Sequence, residues 1–177
     1  GESGGQIGDK GIIEIKNNKF KVFDTKKILK IHLHYGEVIK GKFKNNETVN
    51  LIVNKNTRNK IKAYHSATHL LHSSLREVLG KHVAQKGSLV SDDRLRFDFS
   101  HPSSLNDDEI IKVEKIVNKI IDQNDKINIS VMSHKDAIKK GAIALFGEKY
   151  DDEVRVVSMG KKNNTLIFSM ELCGGTH

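Results

Sequence analysis

The chain of 177 residues, 37% of them hydrophobic, is long enough for one ordinary domain or two small ones with a buried core. No run approaches the roughly 18 apolar residues of a membrane span, and the N-terminus lacks a signal-peptide layout; no membrane partner is expected, and the cytoplasm is the expected compartment. Thirty Lys and Arg against 22 Asp and Glu give a formal charge of +8, which favours a polyanionic partner, while 6% aromatic residues without a stacking motif argue against a reader of splayed single-stranded bases.

Residues 1–11 carry scattered glycines, but without Gly-Lys-Ser/Thr or a preceding strand they do not form a nucleotide P-loop. Five short apolar stretches follow: Ile12 to Ile15, Phe20 to Phe23, Ile28 to Leu33, Val38-Ile39 and Val49 to Val53. They are separated by Asn17-Asn18, Asn45-Asn46 and glycines, which predicts a small antiparallel β-barrel. Asn54 to Lys60 is polar, basic and aperiodic, and reads as the junction between a barrel subdomain, residues 1–58, and a second unit, residues 59–177.

From Ile61 the period becomes helical, through Ala67, Leu70, Leu71, Leu75 and Val78, with Gly80 as the stop. Gly87 to Val90 and Leu95 to Phe99 predict a hairpin turning at Ser91-Asp92-Asp93. A second helix opens on the capping residues and acids of Leu105 to Glu109 and carries Ile110, Val113, Ile116, Val117, Ile120 and Ile121 as one stripe. Strands are expected at Ile127 to Met132, Val154 to Val157 and Leu166 to Met170, and a short helix at His134 to Lys140. The expected fold class is α+β, a small N-terminal antiparallel barrel followed by a core of helices packed on a mainly antiparallel sheet.

Two pairs of metal-ligand residues stand out, His65 with His69 and Cys173 with His177, each spaced i, i+4. On a helix that spacing puts two imidazoles on one face, with His72 on the same stripe. Cys173 and His177 flank Gly174-Gly175, which disfavours helix, so a turn after the last strand would have to bring them together. One thiolate and three imidazoles favour zinc over magnesium or calcium, and a lone metal-binding cysteine suits a reducing compartment. His-Glu-x-x-His is absent, which argues against a zinc protease of that type.

Tyr64 to His72 and Cys173 to His177 resemble the paired zinc motifs of the editing domain of alanyl-tRNA synthetase, shared by free-standing alanyl-tRNA editing proteins. Glu2 to Gly11 is similar to the glycine-rich segment that opens the barrel before that domain; His82 to Ser88, Arg94 to His101 and Ala144 to Tyr150 also fit. Threonyl-tRNA synthetase editing domains share the metal motifs, but Gly4-Gly5-Gln6 favours the alanyl family. The resemblance implies hydrolysis of mischarged tRNA(Ala), chiefly seryl-tRNA and also glycyl-tRNA, by one piece of a longer synthetase whose other parts bind ATP. It implies His65, His69, Cys173 and His177 as zinc ligands and Thr68 and Gln85 as pocket residues, with Arg96, Asp98 and Glu148 as weaker candidates. Lys40, Lys42, Lys44, Lys60 and Lys62 are candidate contacts to tRNA phosphates.

The chemistry sets its own demands. An aminoacyl ester is already activated, so a hydrolase must place water, polarise the carbonyl and reject the correct amino acid. Rejecting alanine requires a polar group that only the serine hydroxyl satisfies, and Thr68 could supply it unless its hydroxyl is spent on its own helix. Four protein ligands would close the zinc shell, casting the ion as organiser of the site. The alternatives are a structural-zinc RNA-binding module without catalysis and a free-standing or threonyl-type aminoacyl-tRNA editing hydrolase.

Overall fold

A computed structural model describes residues 1–144, 150–163 and 166–177, and its fold class is α+β. Four strands come first: β1 (Gly11–Ile15), β2 (Asn18–Ile28), β3 (Ile31–Lys40) and β4 (Asn50–Val53). They form one antiparallel sheet in the order β3-β2-β1-β4. The expected barrel is an open sheet among the described residues, because its edges, β3 and β4, do not pair. Four strands, one of only 4 residues, give too little width for the tilt and stagger that closure demands.

The stretch from Ile28 to Leu33, expected as one strand, is instead the apex of the β2–β3 hairpin. Leu29 takes φ 56, the left-handed conformation that two-residue hairpin turns require, and stands 88% exposed.

Asn54 to Lys60 also differs from expectation. Helix α1 (Lys55–Leu79) starts there, so position 58/59 lies inside it. The side chain of Asn54 caps it by accepting from Thr57 N at 3.1 Å, satisfying one of the free amides of the first turn. Arg58, in the next turn, forms a two-pronged ion pair with Asp9. Solvent-facing first turns need no apolar periodicity, which is why the pattern alone did not show them. The helix ends at Gly80, whose N–H bonds Arg76 O.

The hairpin β5 (Gln85–Val90) and β6 (Leu95–Phe99) turns through Ser91, whose N–H donates to Arg94 O at 3.0 Å. Helix α2 (Asp107–Asp122) opens with a reciprocal capping box between Asn106 and Glu109. A second antiparallel sheet joins β7 (Asn128–Ser133), β8 (Glu153–Lys162) and β9 (Leu166–Leu172), with helix α3 (His134–Lys139) directly after β7. Leu70 of α1, Ile120 of α2 and Val157 and Met159 of β8 share one buried cluster with Cys173, so both long helices lie on this sheet as expected. Leu75, Val83 and Val113 fill a second cluster between the two helices. No helix is long and apolar enough to cross a membrane among the described residues.

Candidate metal centre

The packing of α1 on β9 brings the two ligand pairs together. His65 and His69 lie on the buried face of α1, while β9, held by the Val156↔Leu172 pairing, delivers Cys173 at its end. Arg155 shapes the loop beyond, donating from Nη1 to the carbonyls of Cys173 (2.7 Å) and Gly175 (2.8 Å). One ligand atom from each of His65, His69, Cys173 and His177 lies within 4.8 Å of the others. His65 is 2% exposed, His69 7% and Cys173 9%.

The donor set fits zinc. Cys173 Sγ is 3.4 Å from His65 Nε2 and 3.3 Å from His177 Nε2. An ion ~2.3 Å from sulfur and ~2.0 Å from nitrogen in a tetrahedron requires an S···N edge of about 3.5 Å.

Each histidine is held by its other nitrogen. His65 Nδ1 donates to Gln6 Oε1 at 3.0 Å, and His69 Nδ1 to Glu171 Oε2 at 2.5 Å. His177 Nδ1 donates to Ser66 Oγ at 3.2 Å, whose own proton goes to Lys62 O. With Nδ1 engaged three times, Nε2 is left for the common point. His69 Nε2 is buried with no hydrogen-bond partner, which an ion would satisfy.

Electrostatics prepare the sulfur. Burial pushes the Cys173 thiol up, but His177, His65 and His69 around it hold it down at about 3. For His69 burial again opposes the charged form, yet Cys173 and Glu171 raise it to about 10. His177 is lowered, chiefly by burial. At neutral pH the metal-free site therefore holds a thiolate beside an imidazolium, and a metal ligand must be a neutral imidazole. Zinc binding at pH 7 is expected to release about one proton, from His69, as read by calorimetry in buffers of different ionisation enthalpy. Release of about two would show that Cys173 enters as a thiol.

His65, His69 and Cys173 line a cavity of about 460 Å³, in the size range that takes small ligands. Thr68 and Gln85 both line it, with Ser3, Gly4, Ser88 and Arg155. The Thr68 hydroxyl donates to Tyr64 O at 2.8 Å, so only its lone pairs remain for a ligand. Arg96 and Asp98 pair with each other at 3.1 Å on the exposed side of β6 and do not line the cavity. Glu148 lies outside the described residues. Lys40, Lys42, Lys44 and Lys60 are exposed, and Lys62 is half-buried.

Two residues escaped sequence reasoning. Gln6 is 4% exposed, and its Oε1 also accepts from Thr176 N (2.9 Å) and Thr176 Oγ1 (2.7 Å), tying the glycine-rich segment to the ligand loop. The sequence offered it only as part of the Gly4-Gly5-Gln6 signature, with no role at the site. Glu171 is 2% exposed beneath His69 and His72; a charged residue two positions before Cys173 in an alternating strand was the available hint. Burial pushes its carboxyl up, but the two histidines bring it down to about 2.

Comparison with known proteins identifies the family. Residues 1–57 match the family model of class II (A) tRNA synthetases. The whole chain is 52% identical over 182 residues to an alanine–tRNA ligase of Chelativorans sp. (strain BNC1), covering 20% of that protein. It is 51% identical over 180 residues, 99% of the chain and 20% of the relative, to the alanine–tRNA ligase of Parvibaculum lavamentivorans. A third such ligase, from Rhizobium johnstonii, is 51% identical over the full chain, which covers 21% of it. The chain thus spans about one fifth of the length of these relatives. With half its residues identical from end to end, it belongs to the alanyl-tRNA synthetase family, as the counterpart of one segment of such a ligase.

Proposed function

We propose that this segment is the hydrolytic editing unit of an alanine–tRNA ligase, clearing serine, and also glycine, from mischarged tRNA(Ala). The observation that carries the reading is the cluster of His65, His69, Cys173 and His177, of which His65, His69 and Cys173 line a polar cavity together with Thr68 and Gln85. Family membership supplies the partner class, a tRNA with the alanine acceptor, and the +8 charge suits it. In this reading residues 1–58 carry the glycine-rich segment up to the cavity and residues 59–177 hold the ligands, while alanine activation and ATP binding belong to the rest of the longer synthetase.

His65, His69, Cys173 and His177 would hold zinc, which when bound supplies positive charge that orients and polarises an ester. Because four side chains are available, a closed shell is expected, and attack on the ester falls to a water held by other groups. Gln85 offers amide donors and acceptors at the cavity wall for the carbonyl or that water. Thr68 Oγ1, its proton committed to Tyr64 O, accepts from the serine hydroxyl; alanine would leave that hydrogen bond unmade.

Zinc-loaded protein incubated with seryl-, glycyl- and alanyl-tRNA bearing the alanine acceptor is expected to release serine and glycine and to spare alanine. Tight RNA binding without release at any metal loading would overturn the reading in favour of a structural-zinc binding module.

A further inference from the structure

Glu171 is a carboxylate buried to 2% exposure, and each of its oxygens is taken by a different histidine of α1. Oε2 accepts from His69 Nδ1 at 2.5 Å, and Oε1 accepts from His72 Nδ1 at 2.8 Å. His72 is 1% exposed, packs its ring 5.3 Å from that of Phe97, and is outside the ligand cluster. A carboxylate on one histidine can swing about its last torsion; one gripped at both oxygens by two histidines from successive turns of one helix face cannot. The backbone beneath is fixed as well, since β9 pairs with β8 through Val157↔Glu171 and bridges to Ile143.

We infer that Glu171 is the positioning residue of the metal centre, locking His69 with its proton on Nδ1 and its Nε2 lone pair towards Cys173, and that His72 serves to hold Glu171 in place. Of the three groups that engage the ligand histidines, Gln6 and Ser66 are neutral and Glu171 alone carries charge. An anionic acceptor makes its histidine a stronger donor to a cation, so His69 sets how tightly the site holds its ion. The cost of burying this charge is otherwise unexplained: an apolar residue of similar size would fill the same space without needing partners.

The inference rests on the metal part of the function proposed above and not on ester hydrolysis, so it is tested by binding and spectroscopy. Glu171→Gln keeps the shape but presents an amide donor to one of two imidazole N–H groups. Its affinity for zinc, measured by chelator competition, is expected to fall about 10–100-fold. The visible absorption of the cobalt-substituted variant should shift in energy and intensity from wild type. His72→Leu, which leaves both ligand and carboxylate in place, should lose a smaller factor in the same direction. Wild-type affinity and an unchanged cobalt spectrum in Glu171→Gln would overturn the inference. Should that variant fail to fold by circular dichroism, nitrogen NMR of the cadmium-loaded wild-type protein decides: metal on His69 Nε2 with the proton on Nδ1 is expected, and metal on Nδ1 refutes it. A wild-type protein that binds no divalent ion would sink the metal centre itself, and this inference with it, whatever the fate of the hydrolase reading.

Discussion

Cys173→Ala is expected to strip the protein of its metal and reduce seryl-tRNA deacylation to background. Structural zinc sites are worth about 10–16 kcal/mol in all, so the loss of one ligand among four amounts to a roughly 10²–10³-fold weaker site. The thiolate is the sole anion among the four ligands, which places Cys173 at the upper end of that range. Metal analysis after dialysis and a deacylation assay read the two effects, and a variant that keeps stoichiometric zinc and normal activity would remove Cys173 from the centre.

The same substitution has a signature without metal. Cys173 falls from an ordinary 9.0 to about 3 and His69 rises from 6.5 to about 10 on folding. The depressed thiol adds stability that grows as pH rises from about 3 and is complete above its unfolded value of 9.0. The raised imidazole adds stability that is complete below 6.5 and is lost as pH climbs through about 10. For these two groups together, metal-free wild type should gain stability from pH 3 to 6.5, hold it to pH 9 and lose it towards pH 10. Cys173→Ala should flatten both limbs, since Cys173 is also the leading group that raises His69, and denaturant melts across that range would show it.

Gly175→Ala is expected to displace the His65 ring and cost most of the metal affinity, whereas Gly174→Ala is expected to be tolerated. A Cβ at Gly175 would collide with Cε1 and Nδ1 of His65, which is also held by Gln6, so the ring cannot retreat without breaking that bond. A Cβ at Gly174 would meet only Ser3 Oγ at 2.9 Å, a side chain free to rotate. Zinc titration of the two variants separates them, and equal affinities would refute the argument. Neither glycine has a positive φ. The glycine pair is expected from the sequence as a turn requirement; the structure shows that one of the two is kept small by the His65 ring.

That contrast shows where the sequence was legible. Periodicity located α2 and the β5–β6 hairpin, because their apolar residues repeat with the element's own geometry and their caps are local. The motif spacing named four residues that the fold gathers at one point, since i, i+4 on α1 and a strand end followed by glycines are both local facts. The first turns of α1 were not legible, because solvent decides nothing about polar residues there. Nor was the sheet's failure to close, which depends on strand lengths and pairing across Asn18 to Val53. Gln6 and Glu171 were hidden for a different reason. Their meaning lies in partners 59 and 102 residues away, and no local pattern encodes such pairs.

His65 and Cys173 are 108 residues apart, and Gln6 meets Thr176 across 170. A ribosome adding about 5–20 residues per second would deliver Cys173 roughly 5–20 s after His65. For that interval the histidine face of α1 exists without β9, Glu171 or a thiolate, long after a hairpin such as β2–β3 has had time to close. A metal held by all four side chains would therefore be captured only after both distant parts of the chain are in hand, as a late chemical seal on the fold.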